Sequence, residues 1–332
     1  MNTDQEHPFD RLTPDFICDA IDSTGLSADA RLFPLNSFEN RVYQVGIHDT
    51  DPLIAKFYRP GRWSVDQILE EHRFSEELLD AELDVISPLN LDGPSSLFEY
   101  QGFHFALFKR MGGSPPDIEH EENLAILGRL LGRMHAVARS DKFQHRPEIN
   151  TDSYARSTSA LLADDWLPMD LQASYNAIAK DVLEWLQKFE DEIHTLSKLR
   201  SHGDFHLGNM IYRDQRIHML DFDDTRSALA IQDIWMLLSG EADEIDHQLS
   251  TIINNYEQFH NFDWRETHFI EYYRTLRIMH HSGWIASRWN DPAFPLAFPW
   301  FDNASYWSNQ ILALREQLYA LQQSYAGLAG NR

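Results

Sequence analysis

The middle of the chain contains two short apolar runs that alternate with polar loops. Met210–Tyr212 and Ile217–Leu220 are separated by the polar residues 213–216, and each run has the length of a strand rather than of a helix. This pattern predicts a small hairpin. A polar loop, residues 201–209, precedes the hairpin, and an acidic segment that begins at Asp221 follows it.

Along the whole chain, the hydrophobic pattern changes from strand-like to helical. Strand-like runs fill much of the first third, and amphipathic helices dominate from Glu119 onward, which predicts an α+β protein. We predict strands within Leu35–Val45, with a polar turn at Asn36–Asn40, and at Leu53–Tyr58, Val85–Leu89, Leu97–Tyr100 and Phe103–Phe108. The main predicted helices are Thr13–Thr24, Ser64–Asp80, Leu124–Ala138 and Ala173–Thr195.

The loops at the ends of the hairpin carry the residues with the clearest chemistry. The hairpin is expected to hold Asp204, Asn209 and Asp221 near one another. Two carboxylates and an amide oxygen form a hard-oxygen site that suits Mg²⁺ carried on a nucleotide phosphate. A remaining carboxylate can orient or deprotonate a hydroxyl for in-line phosphoryl transfer. The structural alternative is that His202, Asp204 and His206 form turns and that Asn209 is a cap.

These residues also carry a family resemblance. The motif His-Gly-Asp-x-His-x-x-Asn, followed by Asp221 at a strand end, resembles the catalytic centre of the aminoglycoside phosphotransferase and choline kinase group. The spacing from Asp204 to Asn209 also matches the catalytic loop of protein kinases. A metallophosphatase is the rival, because Gly-Asp-x-His also occurs in metal-dependent phosphoesterases. The further ligand motifs that such an enzyme needs are not evident in this sequence.

The resemblance implies a bilobal protein-kinase-like fold of the aminoglycoside phosphotransferase type. The small β-rich N-lobe, with the nucleotide-binding sheet and one main helix, is expected at residues 1–111. The larger helical C-lobe, with the catalytic loop and a substrate groove, is expected at residues 112–332. Lys109–Gly113 would be the hinge whose backbone binds adenine, or alternatively a plain loop.

A lone lysine, Lys56, interrupts an apolar strand. A lysine in such a strand is costly unless it is paired. The kinase resemblance supplies the partners, which are nucleotide phosphates and a glutamate of the following helix. Glu71 is the preferred glutamate, because it shares an inward-facing stripe with Phe74 and Leu78. Glu70 stays open as the alternative.

The kinase resemblance also implies roles for two further residues, Ser37 and Asp233. The polar turn that contains Ser37 stands where a phosphate-covering loop belongs, and Ser37 with nearby backbone N–H groups would contact the phosphates. The alternative is an ordinary hairpin turn. Asp233 stands where an aspartate accepts hydrogen bonds from the catalytic-loop backbone, and an acid at a helix N-terminus is also favoured by the helix dipole.

Stretches throughout the chain make the resemblance more specific. They are Pro34–Ser37, Glu39–Tyr43, Lys56–Pro60, Gln67–His72, Leu131–His135, Ala230–Asp233 and Asp291–Pro295. Together they resemble the bacterial stress response kinase A family. That family implies a cytoplasmic, Mg²⁺- and ATP-dependent serine/threonine protein kinase, and the protein itself is a candidate acceptor by autophosphorylation. The residues assigned by this resemblance are the catalytic Asp204 and Asp221, the Mg²⁺ ligands Asn209 and Asp221, and the ATP-site residues Ser37, Lys56 and Glu71.

Two departures from the protein-kinase pattern accompany this assignment. The turn before Lys56 lacks the usual glycines, and Asp223 stands where Asp-Phe-Gly has its glycine. Both departures put the usual activation-loop switch in doubt.

Composition narrows the range of partners. The net charge of −24 argues against sequence-independent nucleic-acid binding and against binding to anionic membranes, and it is compatible with a cationic substrate. The single cysteine, Cys18, excludes an internal disulfide, and neither a signal peptide nor a membrane-spanning run is evident, so a cytoplasmic location is expected. Two other functions stay open: a small-molecule kinase for an amino sugar or amino alcohol, and a nucleotide-binding regulator without turnover.

Overall fold

The computed structural model describes residues 7–91, 93 and 95–330. The first six residues, on which the expectation of no signal peptide partly rests, lie outside the described residues. Two compact units are present: the first comprises Met1–Arg146, Asp204–Thr225 and Leu237–His260, and the second Pro147–Gly203, Arg226–Met236 and Asn261–Arg332. The lobe boundary after residue 111 stays a prediction.

The described residues form strands and helices, which confirms the predicted α+β class. In chain order, the strands are β1 Ala28–Pro34, β2 Arg41–Ile47, β3 Leu53–Phe57, β4 Phe98–Tyr100, β5 Phe103–Lys109, β6 Leu199–Ser201, β7 Met210–Arg213, β8 Arg216–Met219 and β9 Arg226–Ala228. The helices are α1 Pro14–Asp22, α2 Val65–Asp80, α3 Glu121–Ala138, α4 Ser157–Asp165, α5 Met169–Ile193, α6 Ile231–Trp235, α7 Ala242–Tyr256, α8 Ile270–Ser287, α9 Ala293–Ala297 and α10 Ala304–Gly330.

An antiparallel sheet with the strand order β1-β2-β3-β5-β4 lies in the first unit. In the central strand β3, Lys56 pairs with Val42 of β2 and with Ala106 of β5. One face of the sheet packs against α1, so Ile17 and Ile21 share an apolar core with the sheet residues Val45, Phe57 and Phe105, among others. Lys56 is thereby fixed in the middle of a strand that is hydrogen-bonded on both sides.

The first strand begins earlier than the apolar pattern predicts. Both strands of the first hairpin were expected within Leu35–Val45, but β1 ends at Pro34, and Leu35 only donates one hydrogen bond to Val42. Val85–Leu89, predicted as an edge-like strand piece, forms isolated bridges of Val85 to Met219 and of Pro88 to Phe108 but no regular strand. β1 is a half-exposed edge strand with an irregular register, so it lacks the apolar alternation that marks a strand in sequence.

The helix α2 follows the predicted limits closely. Ser64 caps it and forms a reciprocal capping box with Gln67, which satisfies backbone N–H groups that have no intrahelical partner. Glu71, Phe74 and Leu78 are all buried, as the predicted inward stripe requires. The helix therefore carries a buried carboxylate on its core-facing side.

Two glycines allow α3 and α7 to pack closely in the first unit. A Cβ atom at Gly128 would lie 2.4 Å from the carbonyl oxygen of Ile252, and one at Gly132 would lie 2.4 Å from that of Tyr256. Any side chain at either position would therefore collide with the backbone of α7, so only glycine fits at both.

The second unit is mainly helical and aromatic. Its two short strands, β6 and β9, pair with each other. Trp307 and Phe301 are fully buried, whereas Trp264 and Trp300 are exposed by 48% and 40%, so the aromatic residues of this region contribute to both core and surface. Within the described ranges, we find no helix with the length and apolar character that crossing a membrane requires.

Candidate active site

The hairpin of β7 and β8 brings two of the predicted site residues to the same end. Met210 pairs with Met219, and the backbone N–H of Leu220 donates to the carbonyl oxygen of Asn209 at 3.1 Å. Asn209 therefore precedes one strand and Asp221 follows the other at the open end of the hairpin. The predicted hairpin and this juxtaposition are confirmed.

Asp204 is joined to Asn209 across the loop before the hairpin. The side-chain nitrogen of Asn209 donates to the backbone carbonyl of Asp204 at 3.0 Å and lies 3.4 Å from its Oδ2 atom. A short 3₁₀ turn, Leu207–Asn209, separates the two residues. The amide of Asn209 thus fixes the loop that presents the Asp204 carboxylate.

The segment that precedes Asp204 in the chain is anchored within the second unit. The backbone N–H groups of His202 and Gly203 donate to the two carboxylate oxygens of Asp233 at 2.8 and 2.9 Å. Gly203 has φ of +83°, a conformation that is costly for any residue with a Cβ atom. Asp233 lies in the first turn of α6, so the predicted contact with the loop backbone is confirmed together with its place at a helix N-terminus.

Asp221 has an unusual backbone conformation at the end of the hairpin. Its φ and ψ are 61° and 65°, in the left-handed region that non-glycine residues rarely occupy. Such residues persist where the surrounding structure holds them, and they are concentrated at functional sites. The side chain is 48% exposed, and its Oδ1 atom lies 2.8 Å from Nζ of Lys56.

Three carboxylates surround the buried Lys56 ammonium. Besides Asp221, its Nζ atom lies 3.3 Å from Asp223 and 3.6 Å from Glu71. Burial alone would lower the pKa of Lys56, but Asp221, Asp223 and Glu71 raise it well above its ordinary value. The lysine is therefore held in its charged form beside an exposed carboxylate.

The structure distinguishes the two candidate glutamates of α2. Glu71 faces Lys56, whereas the Glu70 carboxylate accepts backbone N–H groups of Gln144, His145 and Arg146 at 2.5 to 2.8 Å. The inward stripe thus predicted the correct partner. Glu70 instead joins α2 to the segment that follows α3.

Arg146 completes the surroundings of Glu71. Its fully buried guanidinium donates to Glu71 Oε2 at 2.7 Å, to the carbonyl of Asp223 at 2.6 Å and to the carbonyl of Gln67 at 2.7 Å. It also stacks over the ring of Trp63. Burial raises the pKa of Glu71 above its ordinary value, although Lys56 and Arg146 both act in the opposite direction. Arg146 thereby connects α2 with the backbone that follows Asp221.

We expect Arg146→Ala to lower the free energy of unfolding by about 3–5 kcal/mol, because it removes a buried partner of Glu71 and leaves two carbonyls without their donor. Chemical denaturation of the variant and of wild type measures this difference. Arg213→Ala, which removes an exposed arginine at the end of β7, is the matched control and should change stability little. Equal losses in the two variants would contradict the importance assigned to the Arg146 contacts.

Arg62 binds the two aspartates, Asp223 and Asp224, that follow Asp221 closely in the chain. It forms ion pairs with Asp223 and, at 2.6 Å, with Asp224, and its Nε atom lies 3.7 Å from Glu39. Burial would raise the pKa of Asp223, but Arg62 and Lys56 outweigh that effect and lower it. The aspartate that replaces glycine in Asp-Phe-Gly is therefore an ionised, buried member of the cluster.

Ser37 lies in the turn between β1 and β2. Its hydroxyl donates to the carbonyl of Asn40 at 3.2 Å, within the same turn. Arg59, which follows β3, reaches this turn, since its backbone N–H donates to Asn40 Oδ1 at 3.0 Å and its guanidinium to the carbonyl of Phe38 at 3.0 Å. The turn is thus tied to the segment that follows Lys56, and the nucleotide contact assigned to Ser37 stays a prediction.

Comparison with known proteins accords with this geometry. Residues 31–270 match the family described as APH, phosphotransferase enzyme family. Stress response kinase A of Escherichia coli O157:H7 is 41% identical over 321 residues, which cover 95% of both chains. The serine/threonine protein kinase RdoA of Salmonella typhimurium LT2 is 39% identical over 326 residues, covering 96% of this chain and 97% of that one.

The chain belongs to the stress response kinase A family of phosphotransferases. The fold of this family member is also similar to a solved structure of amicoumacin kinase hAmiN in complex with AMP-PNP, Ca²⁺ and Ami. That comparison has a TM-score of 0.68 with 20% sequence identity, and it covers 87% of this chain and 88% of the other. At this identity the likeness shows the fold alone.

Several contacts of this kinase family member were not foreseen from sequence. Arg62 and Arg146 were not identified as parts of the site, and Asp223 was noted only as a departure from Asp-Phe-Gly. A weak signal exists for Arg62, because a charged turn directly follows the strand that carries Lys56. Arg146 has no comparable local signal, since its partner Glu71 is 75 residues away in the chain.

Proposed function

We propose that this family member is a Mg²⁺- and ATP-dependent serine/threonine protein kinase that acts in a stress response. The observation that carries the proposal is the arrangement within the first unit: Asp204 is joined to Asn209, and Asp221 to the charged Lys56. The name of the RdoA relative supports a protein acceptor. The family of the chain supports phosphate transfer.

The reaction assigns a separate task to each side chain. The hydroxyl oxygen of a serine or threonine attacks the γ-phosphorus of ATP, while Asp204 accepts the hydroxyl proton. The bond from the γ-phosphorus to the bridging oxygen breaks, and the electron pair leaves with ADP. Lys56, held by Glu71, binds phosphate oxygens. Ser37 and the turn between β1 and β2 contact the nucleotide.

The donors at the end of the hairpin suit a divalent cation. Asp221 offers a half-exposed carboxylate, and Asn209 offers an amide oxygen while its amide nitrogen is directed at Asp204. Hard oxygen ligands of this type are those that Mg²⁺ prefers. Asn209 and Asp221 would therefore hold Mg²⁺, which when bound neutralises charge on the phosphate oxygens. Asp221 would take part in catalysis by holding this Mg²⁺ ion.

Replacing the ligands should change the metal dependence of transfer. We expect Asn209→Ala and Asp221→Asn to raise the Mg²⁺ concentration needed for half-maximal transfer or to abolish activity, because the first removes an amide oxygen ligand and the second replaces a charged carboxylate with a neutral amide. A Mg²⁺ titration at saturating ATP measures the effect. Asp51→Asn, at an exposed position between β2 and β3, is the control. Titration curves that match wild type in both site variants would move the metal site elsewhere.

A small-molecule kinase is the second candidate. The similarity in fold to amicoumacin kinase hAmiN, whose solved structure contains Ami, supports it. The net charge of −24 is compatible with a cationic acceptor such as an amino sugar or amino alcohol.

Neither a nucleic acid nor an anionic membrane surface suits this charge as a partner. The single cysteine and the family resemblance support a cytoplasmic setting.

A panel of acceptors tests the proposal. Wild type and Asp204→Asn are incubated with Mg²⁺ and labelled ATP, and with a basic protein, an acidic protein, the protein itself, amino sugars and amino alcohols. Label that depends on Asp204 and appears in protein serine or threonine supports the protein kinase. Label in small amines alone establishes the second candidate. No Asp204-dependent label in any acceptor would overturn the phosphotransfer proposal.

A further inference from the structure

His206 lies beside Asp204 and has no task in the reaction as described so far. It follows Asp204 by two positions in the chain. Its ring nitrogen Nε2 lies 3.3 Å from Asp204 Oδ2, and its other ring nitrogen, Nδ1, accepts a hydrogen bond from the backbone N–H of Gly208 at 2.9 Å. The ring therefore connects the carboxylate of Asp204 with the turn that leads to Asn209.

The contact with Gly208 determines where the imidazole carries its hydrogen. A neutral imidazole has one donor and one acceptor nitrogen. Because Nδ1 accepts from a backbone N–H, the hydrogen must be on Nε2. Nε2 is the nitrogen that faces Asp204, so the ring presents a donor to the carboxylate.

The turn is shaped to keep the ring in this place. A Cβ atom at position 208 would lie 2.7 Å from Cε1 and 2.9 Å from Nδ1 of His206, so the ring rests against a backbone that only glycine allows to come so close. Asn209 Nδ2 approaches the same Oδ2 atom of Asp204 at 3.4 Å. Two side-chain nitrogens from this short segment thus lie 3.3 and 3.4 Å from a single carboxylate oxygen.

We infer that His206 is a positioning residue for Asp204. Its Nε2–H group, 3.3 Å from Oδ2, restricts rotation of the carboxylate together with Asn209, so that Asp204 meets the acceptor hydroxyl in one orientation. The hydroxyl proton passes to Asp204, and His206 keeps its own proton throughout. This inference rests on the proposed function, because Asp204 needs a fixed orientation only if it acts on a hydroxyl.

Two amide variants separate the two contacts of the ring. In His206→Gln, the amide nitrogen can occupy the place of Nε2 and still donate to Asp204. In His206→Asn, the shorter side chain can accept from the Gly208 N–H in the place of Nδ1, but it does not extend to Asp204. If His206 only shapes the turn, the Asn variant should keep more transfer activity than the Gln variant. If His206 acts on Asp204, the Gln variant should keep more.

We expect kcat to fall roughly 10- to 100-fold in His206→Asn, because the contact of the ring N–H with the charged Asp204 carboxylate is lost, and to remain close to wild type in His206→Gln. The affinity for Mg²⁺-ATP should be the same in both variants and in wild type. Transfer to the best acceptor and nucleotide titration measure the two quantities. A kcat in His206→Asn that equals or exceeds that of His206→Gln would overturn the inference while leaving the proposed function in place.

A second measurement does not depend on turnover. ¹⁵N NMR of the histidine side chains distinguishes a protonated from an unprotonated ring nitrogen, and His206→Gln assigns the signal. We expect Nε2 of His206 in the full-length protein to carry a hydrogen, because Nδ1 accepts from the Gly208 N–H. Protonation at Nδ1 alone would overturn the inference. Wild type that shows this tautomer but transfers phosphate to no acceptor would instead contradict the proposed function, and with it the task assigned to His206.

Discussion

Asp204→Asn should bind Mg²⁺-ATP nearly as well as wild type but transfer its phosphate about 10²-fold more slowly or worse, since general-base contributions are near 10²–10⁴. The substitution keeps the shape of the side chain and removes the charge that, in the proposed mechanism, accepts the hydroxyl proton. Nucleotide affinity should persist because Lys56, the proposed phosphate-binding residue, and Asn209 and Asp221, the proposed metal ligands, are unchanged. The contact between Asn209 and the backbone carbonyl of residue 204 also remains.

Nucleotide titration paired with phosphate transfer to a protein acceptor and to small amines measures this effect. Asp214→Asn, in the exposed turn between β7 and β8, makes the same chemical change 10 positions away in the sequence and serves as the control. Loss of nucleotide binding in Asp204→Asn would make the residue a metal ligand or a structural residue. Transfer at the wild-type rate would remove Asp204 from the mechanism.

Lys56→Met should leave the protein folded but reduce kcat/KM for ATP by roughly 10²–10³-fold, the cost of removing one preorganised charge from a site of developing negative charge. Methionine fills the space of the lysine stem in β3. The carboxylates that lose the ammonium retain other partners, because Glu71 still binds Arg146 and Asp223 still binds Arg62. These remaining pairs are the reason that folding and activity should separate.

Thermal unfolding and ATP-dependent transfer of the same preparations test that separation. Lys180→Met replaces a lysine that is 76% exposed on α5, and it should affect neither property. Normal transfer by folded Lys56→Met would refute the phosphate-binding role. Failure of the variant to fold would show that Arg62 and Arg146 do not compensate for the lost ammonium.

The parts of the site that depend on local pattern were predictable from sequence. The hairpin from Met210 to Met219 follows from two short apolar runs with a polar turn, and its register places Asn209 beside Leu220. Glu71 follows from helical periodicity, because residues at its face of α2 are buried. Both signals are carried by residues that are close in the chain.

The parts that depend on distant pairing were not predictable. Arg146 meets Glu71, and Arg62 meets Asp223, only because separate segments of the first unit fold together. A sequence pattern shows that each side chain is charged but not which opposite charge it will meet. The left-handed backbone of Asp221 is likewise hidden, since aspartate occupies that conformation only where its surroundings impose it.

The fate of the γ-phosphoryl group tests the central claim most directly. Wild type and Asp204→Asn are incubated with Mg²⁺ and with ATP that carries ¹⁸O in its γ-phosphoryl group. Mass spectrometry then locates the heavy phosphate on protein acceptors, on the enzyme itself and on small amines. We predict heavy phosphate on serine or threonine hydroxyls with wild type and a strongly reduced amount with Asp204→Asn. Wild type that leaves every acceptor hydroxyl without heavy phosphate would contradict the assignment of this chain as a kinase.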